Sequence, residues 1–138
     1  MQGKFKPLLR YLTSKIDAAV DKKTSFLLLG PRQVGKTTLL QASLKAIHNT
    51  PLLTYYLQDP LVRLSLEHDP GLLIREVRAQ KGYVYVYIDE AQKIPSLFDA
   101  AQLLIDEGKA SFFITGSSAR ALRRKGVNLL PGRIRHFF

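Results

Sequence analysis

Cysteine is absent from the 138 residues. Disulfides, cysteine-based zinc sites, iron–sulfur clusters and a cysteine nucleophile are therefore excluded. Histidine is scarce. His48, His68 and His136 stand far apart, at spacings that match no zinc-ligand pattern. Acidic residues are few: 11 Asp and Glu face 21 Lys and Arg, for a formal net charge of +10 at pH 7. Polyanions are attracted to such a chain at low salt. Nucleotides, nucleic acids and anionic membrane surfaces all satisfy that balance, which does not choose among them. Long apolar runs are also missing. The strongest are Phe26–Leu29, Tyr83–Ile88 and Phe112–Ile114, well short of the roughly 18 to 20 residues that span a bilayer. Lys4, Lys6 and Arg10 precede no continuous apolar stretch, so no secretory signal is read there. A cytoplasmic protein with no membrane partner is the expectation.

The composition is otherwise that of a globular domain, with 46% apolar and 23% charged residues. The length suits one domain over 1–138, large enough to bury a core without a covalent staple. Short β-type runs alternate with helical patterns, which predicts an α/β fold with a mostly parallel sheet. Leu8, Leu9, Leu12, Ile16, Ala19 and Val20 place an amphipathic helix over 7–20, with Pro7 at its start. Strands are predicted at 26–29, 52–57, 83–88, 111–115 and 134–138. Helices are predicted at 36–48, 60–68, 71–80, 96–107 and 118–125. Tyr83, Tyr85 and Tyr87 share one face of an interior strand and read as packing residues, not as a base-stacking platform.

Chemistry enters at Gly30-Pro31-Arg32-Gln33-Val34-Gly35-Lys36-Thr37, which fits G-x-x-x-x-G-K-[ST] in full. Gly30 and Gly35 permit positive φ and close backbone approach, so successive N–H groups can surround phosphate oxygens. The loop follows an apolar strand and opens a helix, whose N-terminus favours an anion. Lys36 is the cation for the β- and γ-phosphates, and the Thr37 hydroxyl is a ligand for Mg²⁺. Some fifty residues on, the strand Tyr83–Ile88 ends in Asp89-Glu90. A strand buried on both faces delivers its last residue to the sheet edge where ligands sit in α/β folds. Asp89 is read there as holding Mg²⁺ and Glu90 as polarising an attacking water. Water activation is what a hydrolase needs and a kinase does not.

A third strand end, Phe112-Phe113-Ile114-Thr115-Gly116-Ser117-Ser118, finishes in hydroxyls. Thr115 or Ser117 is placed to orient water or sense a γ-phosphate if this strand lies between the first and third. Ser117 or Ser118 capping the next helix is the other reading. Arg120, Arg123, Arg124 and Lys125 recur at helical spacing, followed by Arg133 and Arg135. A solvated face, or one that meets a further region, is the first reading of this basic cluster. An arginine that reaches a neighbour's nucleotide is the second. Nucleic-acid backbone contact is the least favoured.

Taken together, these residues resemble the AAA+ branch of P-loop ATPases. The likeness is to the N-terminal ATPase domain of a large, mostly uncharacterised prokaryotic group that carries a separate C-terminal region. It rests on Gly30 through Thr38 (Walker A), Tyr87-Ile88-Asp89-Glu90-Ala91-Gln92-Lys93 (Walker B), Ile114-Thr115-Gly116-Ser117-Ser118 and Leu130-Pro131-Gly132-Arg133. The resemblance implies a parallel five-stranded sheet in order 5-1-4-3-2, Mg·ATP binding and hydrolysis to ADP and phosphate. It implies catalytic roles for Lys36, Glu90, Thr115 or Ser117, and an arginine, with Arg133 first and Arg120 behind it. Gly30, Pro31, Arg32, Gln33, Val34, Gly35, Lys36, Thr37 and Thr38 are the implied nucleotide contacts, and Thr37 and Asp89 the metal contacts. AAA+ proteins continue into a small helical lid, which the resemblance does not extend to here. A fragment, a product truncated at the C-terminus or a minimal nucleotide-binding core without a lid domain is therefore expected, with weak affinity and slow turnover. A homo-oligomer or the missing C-terminal region is the expected partner. The alternative function is a nucleotide-dependent switch or DNA-associated module with negligible turnover.

Overall fold

The computed structural model describes residues 2–29, 41, 42, 44, 47, 50–117 and 134–137, with backbone alone for 2–10, 12 and 134–137. Helix α1 covers Gln2–Asp21, so it begins five residues ahead of the expected start and Pro7 lies inside it. Gln2, Lys4 and Lys6 are good helix formers. A proline in the second turn forfeits the single bond its amide would make to Gly3. The helix closes with Thr24 N–H on the Ala19 carbonyl at 2.8 Å and Lys23 N–H on Val20 at 3.2 Å. Lys23 takes the left-handed conformation at φ 55° to allow this.

Five strands follow: β1 (Ser25–Leu29), β2 (Leu52–Tyr56), β3 (Val84–Asp89), β4 (Ala110–Gly116) and β5 (Ile134–Phe137). All neighbours pair in parallel, in the order β2-β3-β4-β1-β5. The α/β class and the parallel sheet are thus as the sequence pattern implied. Every residue of β1, β3 and β4 is buried, as expected of parallel strands covered on both faces. Edge strand β2 buries only Tyr55. Between β2 and β3 run α2 (Pro60–His68) and α3 (Leu72–Arg78), broken at Asp69-Pro70-Gly71. Asp59 caps α2 by accepting from the Leu61 N–H at 2.9 Å, with Pro60 at the first helical position. Helix α4 (Leu97–Asp106) links β3 to β4.

Alternation along the strands builds two cores. Val84, Val86, Ile88, Phe112 and Ile114 pack with Leu66, Leu73, Val77, Phe98, Ala101 and Leu104 of α2, α3 and α4. On the other face, Phe26, Leu28, Tyr85, Tyr87 and Phe113 pack with Ile16 and Ala19 of α1 and with Leu44. Tyr85 stacks on Phe113 at 5.6 Å and Phe26 meets Phe113 at 4.9 Å, so the expected packing role of these aromatics holds. The predicted helix over 36–48 is described only at 41, 42, 44 and 47, of which the first three are helical and Ile47 is not. The predicted basic helix at 118–125 lies outside the described residues. Among the described residues, no helix is long and apolar enough to cross a membrane.

Candidate functional site

The register brings three strand ends to one edge of the sheet. Leu29, the last residue of β1, pairs with Gly116 at the end of β4, and Leu28 pairs with Thr115. Ile88 of β3 pairs with Ile114, so Asp89 and Thr115 both lie one step beyond that pair. β4 sits between β1 and β3. The chain leaves β1 at this edge and continues directly into Gly30.

Asp89 shares its face of β3 with Tyr85 and Tyr87 because side chains two apart point the same way. Its Oδ1 accepts from the Tyr87 hydroxyl at 2.9 Å and from the Thr115 hydroxyl at 2.8 Å. Thr115 Oγ1 in turn accepts the backbone N–H of Glu90 at 3.0 Å. A directed chain therefore runs from the Glu90 amide through the Thr115 hydroxyl to the Asp89 carboxylate, with Tyr87 as a second donor. Each bond polarises the next in a medium of low dielectric. Asp89, Glu90 and Thr115 are 4%, 2% and 0% exposed, so these groups depend on protein partners rather than bulk water.

Glu90 breaks the strand. Its backbone is left-handed, at φ 61° and ψ 50°, in a residue that is not glycine. Such a conformation carries a penalty of about 1–2 kcal/mol, and strain of this kind concentrates at functional positions. A single turn of 3₁₀ helix, Ala91–Lys93, follows and was not predicted. Its middle residue, Gln92, donates from Nε2 to Glu90 Oε2, and its Oε1 accepts the Ser117 N–H at 3.2 Å. The amide orientation follows from chemistry: a carboxylate only accepts and a backbone N–H only donates. Beside Tyr87, a partly open cavity of about 280 Å³ is lined by Gln41, Leu44, Leu52, Thr54, Tyr56 and Tyr87. Gln41 donates to the Tyr56 hydroxyl at its wall, at 3.0 Å. Among the described residues, no three His, Asp or Glu side chains converge on a common point.

A family model described as AAA domain matches residues 22–138. The chain belongs to this AAA domain family. Uncharacterized proteins of Mycobacterium bovis and Mycobacterium tuberculosis are each 32% identical to it over 127 residues, covering 91% of this chain and 27% of theirs. The chain thus spans about a quarter of the length of these curated relatives. A structure of C. elegans PCH-2 matches with a TM-score of 0.55 at 16% identity, over 95% of this chain and 42% of that one. At that identity the likeness concerns the fold alone. Family and fold together identify an AAA+ P-loop ATPase domain.

Within this AAA domain the residues singled out from sequence divide into three groups. Asp89, Glu90 and Thr115 come together at the sheet edge. Ser117 is half-buried beside them and enters through its backbone N–H rather than through a hydroxyl contact. Gly30 through Thr38, including Lys36 and Thr37, lie outside the described residues, as do Ser118, Arg120, Arg123, Arg124, Lys125 and Arg133. Sequence reasoning missed Tyr87 and Gln92 as members of the network. Tyr87 carried a usable signal, since a hydroxyl-bearing side chain two residues before Asp89 in a strand must share its face. Gln92 carried none beyond its place in the Asp89–Lys93 motif.

Proposed function

We propose that this AAA domain binds Mg·ATP at the Gly30–Thr38 segment and hydrolyses it to ADP and phosphate. The observation that carries the reading is the buried Asp89–Thr115–Glu90 network at the sheet edge where β1 passes into Gly30. Acidic groups are placed by hydroxyls beside the entry to a complete phosphate-loop sequence. In this reading, the loop amides surround the phosphates and Lys36 carries charge that grows on the β–γ bridge and the γ-oxygens. Asp89 fits a magnesium site: it supplies a hard carboxylate oxygen fixed in direction by two hydroxyl donors, and Thr37 would supply a second oxygen. Magnesium, when bound, neutralises phosphate charge as the bridging bond breaks. Glu90 orients a water whose oxygen attacks the γ-phosphorus while the bond to the β–γ bridging oxygen breaks; its carboxylate receives the water proton. Thr115 keeps the two acids in mutual register, and Arg133 is the candidate for added positive charge.

The test is ATP binding and steady-state phosphate release by the 138-residue chain with Mg²⁺, beside Lys36→Ala and Glu90→Gln. Binding lost in Lys36→Ala, and release lost in Glu90→Gln while binding persists, is the expected pattern. Binding and turnover both unchanged in Lys36→Ala would falsify the reading. Binding without release by the unaltered chain would favour a nucleotide-dependent switch.

A further inference from the structure

We propose that Gln92 is a positioning residue for Glu90, clamping its carboxylate to the end of β4. The proposal rests on the hydrolytic reading above and deepens it. Three observations carry it. First, the Gln92 amide is used at both ends, donating to Glu90 Oε2 and accepting from Ser117 N–H. The backbone bond at Ser117 fixes the amide plane, and the amide plane fixes the carboxylate. Second, Glu90 is held at its backbone by Thr115, also of β4. Backbone and side chain of Glu90 are thus both referred to the C-terminal end of β4, at Thr115 within it and at Ser117 just beyond it. Third, Gln92 lies in a 3₁₀ turn that the left-handed backbone at Glu90 starts, with Lys93 N–H on the Glu90 carbonyl at 3.1 Å.

The consequence is geometric. A glutamate that orients water contributes only if its oxygen is held within a few tenths of an ångström of the productive position, and loss of that hold lowers turnover rather than ground-state binding. Gln92 takes one acceptor position of a carboxylate that has about four, so holding Glu90 does not prevent it from receiving a proton. A polar link between Glu90 and Ser117 also ties the water-orienting group to the segment that follows β4.

The test compares Gln92→Met and Gln92→Glu with the unaltered chain. Methionine keeps the length and bulk of a half-buried side chain and removes both hydrogen bonds. Glutamate keeps the shape and replaces the donor by a charge that repels Glu90. Phosphate release at saturating ATP is expected to fall by about tenfold or more in Gln92→Met and further in Gln92→Glu, while half-saturating ATP stays within about twofold. On the residual release left in a Glu90→Gln background, followed over long single-turnover incubations, the Gln92→Met change is expected to add less than about twofold, because it acts through Glu90. A purely structural role would lower affinity and melting temperature together and would be rescued by methionine. Turnover in Gln92→Met equal to or above that of the unaltered chain overturns the proposal, as does an equal loss in both backgrounds. Absence of release by the unaltered chain overturns the hydrolytic reading itself, a result visible before any variant is compared.

Discussion

Glu90 offers a test in which sterics and function separate. Its side chain is buried and its backbone left-handed. Glu90→Ala and Glu90→Gly both delete the carboxylate, the bond from Gln92 and every other side-chain contact. They differ only in what the backbone tolerates. Alanine retains the Cβ that makes φ 61° unfavourable by about 1–2 kcal/mol, whereas glycine is free of it but gives up about 0.4–1 kcal/mol of unfolded-state entropy. Glycine should therefore be the more stable variant by about 0.5–1 kcal/mol. At ~2.1 cal/mol/K per residue, a chain of this length has an unfolding entropy near 0.29 kcal/mol/K. The difference is then about 2–3 °C in melting temperature, readable by calorimetry. Lys23, at φ 55° beyond the end of α1, should show the same Gly-over-Ala order without touching phosphate release. Ala18, exposed within α1, should show the reverse, Gly costing about 1 kcal/mol. Both Glu90 variants should lose phosphate release to the same degree. An alanine variant as stable as the glycine one would refute the claim that strain is held at this residue.

Other outcomes follow from the same geometry. Ser25→Ala should destabilise the fold by about 1–3 kcal/mol in a denaturant titration, because its hydroxyl accepts the buried Phe112 N–H at 2.8 Å and nothing of similar shape replaces it. Tyr87→Phe keeps the ring packed edge-on against Tyr56 at 5.6 Å and removes one donor from Asp89. A stability loss of about 1–2 kcal/mol and a raised Mg²⁺ requirement for ATP binding are expected; unchanged Mg²⁺ dependence would detach Tyr87 from the site. Burial first, and then the Glu76 carboxylate to which its hydroxyl donates, push the Tyr55 phenol well above its ordinary 10.0. Because the folded value is the higher one, the contribution of the neutral hydroxyl is complete below pH ~10 and is lost as pH rises from there toward the folded value. Alkaline unfolding should accordingly be shallower in Tyr55→Phe, and a slope identical to that of the unaltered chain would contradict the assignment.

How much of this was legible in the sequence depends on the range of the interaction concerned. Apolar alternation in Tyr83–Ile88 and Phe112–Ile114 is a local signal, and it located β3 and β4 within about a residue and put Asp89 at a sheet edge. Asp69-Pro70-Gly71 is a local break, and it separated α2 from α3. The start of α1 was missed because Gln2–Lys6 lack apolar periodicity and Pro7 reads as a first helical position. The Gln92–Ser117 bond joins positions 25 residues apart and leaves no mark in either segment. The left-handed backbone at Glu90 escapes notice because glycine, its usual marker, is absent there.

That last omission bears on why the site works as a unit. Asp89 and Glu90 are neighbours, and in continued extended chain they would point to opposite faces of the sheet. Glu90 would then follow Val86 and Ile88 toward the apolar core shared with α2, α3 and α4, where an unpaired carboxylate is strongly disfavoured. The left-handed turn ends the alternation one residue after Asp89. It directs the Glu90 N–H to Thr115 and starts the 3₁₀ turn that brings Gln92 to the Glu90 carboxylate. One strained residue thus lets two adjacent acids serve the same edge of the sheet. A substitution that restored extended backbone at position 90 would separate them even with both carboxylates retained. Inserting one alanine between Asp89 and Glu90 also separates them, by moving the glutamate one residue past the turn position: phosphate release should vanish while Asp89 stays bonded to Tyr87 and Thr115 and Mg²⁺-dependent ATP binding persists. Retained release in that variant would mean that Glu90 does not act from the position its turn defines.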